Sequence, residues 1–265
     1  MIDKALTIMG VVNVTPDSFS DGGQWVDPEL AWSRGVELAE AGADVIDLGA
    51  ESSRPGASEV PLDKEWARLE PVLELFRKRN PNIAVSVDTY KPEIMLMAAE
   101  LGAQVINDIK GGADESTLKL LAQKGVTYLA MHMHRSPLSM QQSPLSANDA
   151  LDVVADFYDE TYHKLKRCGF SEDKILLDPG IGFGKSDAAN FQLIAQAMQK
   201  SSQYPILLGI SRKSFIGRAL DLPDPLTRDL PSKMMEMTLI LSGIKAIRTH
   251  EVKALHQVRR QVLHS

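Results

Sequence analysis

Asp88, Asn107 and Asp178 each close a short, mostly apolar run of the chain. Burying a carboxylate without a partner is expensive, so these groups should meet each other or a hydrogen-bonding ligand. Two carboxylates accept and one amide both donates and accepts. Such a set could read a flat heterocycle with adjacent N–H donors and an acceptor, and could stabilise positive charge developing on it. Cationic chemistry is concentrated elsewhere, in Ser211-Arg212-Lys213-Ser214 and Arg248-Thr249-His250, and implies a local anion site. Two further stretches carry candidate groups. Asn13-Val14-Thr15-Pro16-Asp17-Ser18-Phe19 mixes oxygen ligands with an aromatic able to close over a ligand, and Arg54 stands between Ser53 and Pro55. Other signals are weaker. The run 180–186 imitates a phosphate-binding loop, but Pro179 occupies the place of its first glycine. His132 and His134 could share a strand face as a metal pair, yet no third ligand accompanies them. Cys168 stands alone and reads as structural, and Met234, Met235 and Met237 read as core or subunit contact.

The elements that must position these groups alternate regularly. Apolar, β-branched runs at 6–13, 44–49, 83–88, 105–109, 126–133, 174–178, 205–211 and 246–250 predict strands buried on both faces. Helical spacing fills 28–41, 63–79, 91–101, 115–124, 149–167, 187–200, 231–242 and 252–263, with Leu30, Val36 and Leu38 expected on the buried side of the first. Eight of each in 265 residues predict an α/β chain folded as a single (β/α)8 TIM barrel over 1–265, rather than a doubly wound open sheet. The strand runs finish in or near Asn13, Asp47, Asp88, Asn107, His132, Asp178, Ser211 and His250, which a barrel would gather on its catalytic face. Loops 14–27, 50–62 and 134–148 are long enough to be lids or binding loops. Apolar content of 44% and charged content of 24% exclude disorder as the main state. A net charge of −6 argues against a nucleic-acid binder. No apolar run is long enough to span a membrane and the start has no signal-peptide layout, so a cytoplasmic location is expected.

The chain resembles the dihydropteroate synthase family over nearly its whole length. The resemblance is carried in order by Gly10–Gly23 (GVVNVTPDSFSDGG), Asp47–Ala57 (DLGAESSRPGA), Ser86–Pro92 (SVDTYKP), Ile106–Ile109 (INDI), Met131–Met133 (MHM), Asp178–Lys185 (DPGIGFGK), Ser211–Gly217 (SRKSFIG) and Ile247–Val252 (IRTHEV). It implies a pterin-binding transferase of folate biosynthesis and a sulfonamide target. The reaction joins 6-hydroxymethyl-7,8-dihydropterin diphosphate to p-aminobenzoate, giving dihydropteroate and diphosphate. By position, Asp88, Asn107, Asp178 and Lys213 match the pterin-pocket residues, and Ile109, Met131, Phe183 and Gly209 its walls. Asn13, Arg248 and His250 match the diphosphate site, with Asn13 also meeting Mg2+. Phe19, Ser53, Arg54, Pro55 and Ser211 match the loops and the p-aminobenzoate site. The resemblance also implies a homodimer. Its mechanism is dissociative, with Asp88 and Asp178 stabilising a pterin cation and Lys213, Arg248 and His250 completing the catalytic set. Departures fall at Ala50, Ser53, His134, Arg135, Glu251 and the bulky helix 231–243. Three competing readings are a pterin-binding paralogue without synthase activity, a methyltetrahydrofolate-dependent methyltransferase, and a metal-dependent hydrolase resting on His132 and His134.

Overall fold

The computed structural model describes residues 6–15, 27–52 and 56–263. Parallel strands β1 (Thr7–Asn13), β2 (Val45–Gly49), β3 (Ala84–Asp88), β4 (Val105–Asp108), β5 (Thr127–Met131), β6 (Ile175–Asp178), β7 (Leu207–Leu208) and β8 (Ala246–Thr249) form one sheet. Their order is β6-β5-β4-β3-β2-β1-β8-β7. A bridge between Leu177 and Ile206 joins the two ends, so the sheet curls into a nearly closed barrel. Helices α1 (Pro28–Glu40), α2 (Leu62–Arg79), α3 (Pro92–Glu100), α4 (Glu115–Gln123), α5 (Ala147–Arg167), α6 (Asp187–Lys200), α7 (Ser214–Leu220), α8 (Asp229–Leu241) and α9 (Val252–Leu263) pack outside.

Local chemistry sets the helix starts. Asp27 accepts from Glu29 N at 2.8 Å ahead of Pro28, Asp114 accepts from Ser116 N and Thr117 N, and Ser186 accepts from Ala189 N. On α5, Ala150, Val154, Tyr158, Thr161 and Leu165 are buried at intervals of three and four, as an amphipathic crossover requires. The buried face of α1 differs in part from the expected one. Leu38 is buried and Val36 packs against the core as expected, but Leu30 is half exposed, and Ala31 and Gly35 face the core in its place. The reason is a close helix crossing: a Cβ at position 35 would lie 2.4 Å from the Phe76 ring of α2. The strand at 205–211 also shrinks to two residues, and α7 is an added helix in the following connection.

The strand period of two builds the interior. Met9, Val45, Ala84, Val105, Leu129, Leu176, Leu207 and Ala246, one from each strand, form a buried apolar plug inside the barrel. The neighbours on either side of these positions, such as Ile46, Val85, Ile106, Leu177, Leu208 and Ile247, join the outer core against the helices. Two residues beyond the plug, the same inward face carries Asp47, Ser86, Asn107, Met131, Asp178, Gly209 and Arg248. The polar layer is therefore a product of register, seated on an apolar floor at the carboxyl ends of the strands.

Candidate active site

On the β2–β4 and β8 side, charged groups satisfy one another across strands. Asp47 is fully buried and its Oδ2 accepts Arg248 Nε at 2.7 Å and Asn107 Nδ2 at 3.2 Å. Arg248 also reaches Asp88 Oδ2 at 3.3 Å. Asp88 and Asn107, which the sequence assigns to a different subsite from Arg248, thus share one network with it through Asp47. Burial first, and the charge of Asp47 second, push the Asp88 carboxyl well above the usual range, while Arg248 pulls the other way. Ile109 and Met131 are buried apolar walls beside this layer, and Gly209 leaves room where a Cβ would meet Arg248 Cβ at 3.6 Å.

The β6–β7 side is built differently. Asp178 Oδ1 accepts Gly180 N at 2.7 Å, which starts the turn to α6. Lys213 Nζ donates to Ile181 O at 2.6 Å and lies 4.2 Å over the Phe183 ring. Lys185, 2% exposed, donates to His132 O at 3.1 Å and Phe183 O at 3.0 Å. Desolvation lowers both lysines, Lys185 to about 7 and Lys213 to about 8, against the favourable charge of Asp178. Gly180, at φ 67°, admits this crossing, since a Cβ there would lie 1.9 Å from His132 O.

At the rim, Ser211 Oγ lies 3.1 Å from His250 Nδ1 and accepts His250 N at 3.3 Å. Burial and the nearby Arg248 and Arg212 lower His250 to about 4, so its ring is neutral near pH 7. Arg212, expected in the anion site, is instead held by Asp229 (2.6 and 2.9 Å) and Glu251 (3.1 Å). Two carboxylates leave it little to offer a substrate anion. Asn13 is exposed at the end of β1. Phe19, Ser53, Arg54 and Pro55 lie outside the described residues.

Asp47 and Lys185 belong to the site although the sequence assigned neither a role in it. Asp47 lies two positions inside its strand rather than at its end. Its signal was the alternation Val45, Asp47, Gly49 against Ile46, Leu48. Lys185 looked like the tail of a failed phosphate loop. His132 and His134 fall beyond β5, so they do not share a strand face. His132, lowered to about 3 by burial, packs on Phe157. Among the described residues no three His, Cys, Asp or Glu side chains are grouped to hold a metal.

Fold and site together define a barrel enzyme with a polar layer above an apolar plug. A family model described as "Pterin binding enzyme" matches residues 9–250. The Escherichia coli K12 protein "Dihydropteroate synthase" is 38% identical over 256 residues, covering 96% of this chain and 90% of its own. The crystal structure of Yersinia pestis dihydropteroate synthase with a sulfonamide drug complex superposes at TM-score 0.87, with 37% identity over 97% of this chain and 93% of that one. That of Xanthomonas albilineans dihydropteroate synthase with 4-aminobenzoic acid superposes at 0.88, with 36% identity over 100% and 95%. The chain belongs to the dihydropteroate synthase family of pterin-binding enzymes. It is accordingly a transferase of folate biosynthesis.

Proposed function

We propose that the inward polar layer holds the dihydropterin and that the reaction runs dissociatively. Asp178 and Asn107 offer hydrogen-bonding groups to the ring, with Met131, Ile109, Phe183 and Gly209 as walls. Diphosphate departs toward Arg248 and His250. A neutral His250 contributes an N–H donor, so the positive charge at this end comes from Arg248 and Lys213. Asp88 and Asp178 face the cation left on the pterin. The arylamine, held by Ser211 with Phe19, Ser53, Arg54 and Pro55, attacks the exocyclic carbon. A neutral arylamine is already nucleophilic, so positioning and electrostatics carry the rate without a covalent intermediate. The observation carrying this reading is the register that places Asp47, Asn107, Asp178 and Arg248 in one layer.

The donors present fit Mg2+ arriving on the diphosphate rather than a protein cage. Asn13 offers one exposed amide oxygen, and Mg2+ often takes few protein ligands beside phosphate oxygens and water. Bound there, the ion would neutralise charge on the leaving diphosphate. The same proposal extends to a cytoplasmic homodimer of one domain over 1–265. Leu230, Met234, Met237 and Leu241 are 71%, 64%, 44% and 74% exposed along one stripe of α8, which supports a subunit contact. Among the described residues no helix is long and apolar enough to cross a membrane.

The test is diphosphate release by the purified protein with Mg2+ and both substrates, with dihydropteroate identified as product. Release that needs both substrates is expected. Pterin binding without product would instead indicate a diverged paralogue. Met234→Glu should convert a dimer to a monomer by light scattering, and a wild-type monomer would overturn the contact.

A further inference from the structure

The floor of the pocket sets an orientation as well as a position. Asp47 is fully buried, and an ionised carboxylate only accepts hydrogen bonds. An asparagine amide facing it must present its NH2 group. Asn107 does so, with Nδ2 3.2 Å from Asp47 Oδ2. The same oxygen holds Arg248 Nε at 2.7 Å, so the guanidinium is fixed between Asp47 and Asp88. Asn107 cannot turn over without setting its carbonyl oxygen against a carboxylate. Its Oδ1 is therefore directed away from Asp47, and it is not among the buried, unpartnered side-chain atoms of the described residues. Asp47 Oδ1 is among them, so this carboxylate keeps acceptor capacity beyond the Arg248 and Asn107 donors that share its Oδ2.

We infer that Asp47 is a specificity-determining positioning residue, which turns the Asn107 carboxamide so that this wall reads an N–H donor of the heterocycle and rejects a ring acceptor. The inference rests on the reading of Asn107 as a pterin-pocket residue. Asp47 need not touch the ligand. It acts through the amide it orients and the guanidinium it holds.

The experiment measures the Kd of the dihydropterin diphosphate by titration calorimetry on the full chain, alongside melting temperature. In Asp47→Asn, the new amide can donate, Asn107 is free to turn, and binding should weaken roughly 30-fold. The exchange variant D47N/N107D separates orientation from mere structural support. There the amide at 47 donates to the carboxylate at 107, whose other oxygen again faces the ligand as an acceptor. Its Kd should return to within about threefold of wild type, a coupling that independent structural damage would not give. Wild-type binding by D47N, or an exchange variant no better than D47N, would overturn the inference. N107A is the control for the underlying reading. If N107A binds normally, the pocket assignment fails; if N107A is weak while D47N is normal, only the orienting role fails. Should D47N not fold, N107D alone decides. Two carboxylates then face each other beside Asp88 and Arg248, and binding must strengthen as pH falls and they share a proton. A flat profile would sink the idea.

Discussion

The two walls of the pocket hold their charges by opposite means. On the β2–β4 and β8 wall, Asp47, Asp88, Asn107 and Arg248 bond to one another across strands. On the β6–β7 wall, Lys185 and Lys213 donate to backbone carbonyls, and no described group lies within ion-pair distance of either. Asp178 there spends one oxygen on Gly180 N and leaves the other without a described donor. The first wall is cross-linked before a ligand arrives, with Asp47 Oδ1 and Ser86 Oγ its buried atoms without a described partner. The second holds cations and a carboxylate near each other but unpaired, a costly arrangement that a ligand can complete. Binding energy should therefore come mainly from the lysine wall, and shape and orientation from the carboxylate wall.

That division can be broken by substitution. Asp178→Asn should have the largest effect, about 100-fold weaker pterin binding, since a charged hydrogen bond is worth up to about 3 kcal/mol. Calorimetry that finds full affinity would reverse the assignment of the walls. Lys213→Ala removes a cation, the hold on Ile181 and the contact with Phe183. It should weaken both substrates, the pterin by roughly 30-fold. Steady-state kinetics with either KM unchanged would remove Lys213 from that wall.

The walls should also differ in the sign of their pH dependence, read by thermal melts. Asp88 keeps its proton to higher pH in the folded chain than in the unfolded one. Its contribution is thus full at low pH and fades as pH rises above about 4, the ordinary carboxylate value. Lys185 behaves in the opposite way. Unfolded lysine stays charged to about 10.4, whereas folded Lys185 loses its proton near 7. The penalty for burying it charged is full below pH 7 and eases as pH climbs toward 10. D88N should flatten the first slope and K185M the second, each by a few degrees of melting temperature. Equal slopes in wild type and both variants would erase the contrast. The smallest effect belongs to Arg218→Ala, which removes an exposed pair with Asp187 on the lysine side. It should change stability by less than about 0.5 kcal/mol and leave turnover alone, placing the asymmetry in the buried layer.

The barrel was legible because both-face burial gives continuous apolar strands, and eight of them were countable. The boundaries moved where side chains do not report backbone pairing, as in β7, where Pro205 has no N–H to give the sheet. Asp88, Asn107 and Asp178 were legible as polar residues closing apolar runs. Asp47 was legible only as a polar residue near a strand end; its place inside β2, facing inward with the site, emerges when the period of two is laid beside the plug residue Val45. Arg212 misled because sequence shows a positive charge but not Asp229, 17 residues away, that neutralises it. The exposed side of α8 was also hidden. Its methionines fit a core or a contact equally well, and only exposure separates Met234 and Met237 from Met235, which packs against the core.

Asp108, next to Asn107, ties down the loop after β4. Its carboxylate accepts Lys110 N at 2.9 Å, Gly112 N at 3.0 Å, Ala113 N at 3.4 Å and the Tyr128 hydroxyl at 2.5 Å. Amides bound this way exchange with solvent only when the whole turn opens. This stretch of the rim is thus held in one arrangement before a ligand arrives, so a ligand meeting Asn107 has little conformational entropy left to remove there.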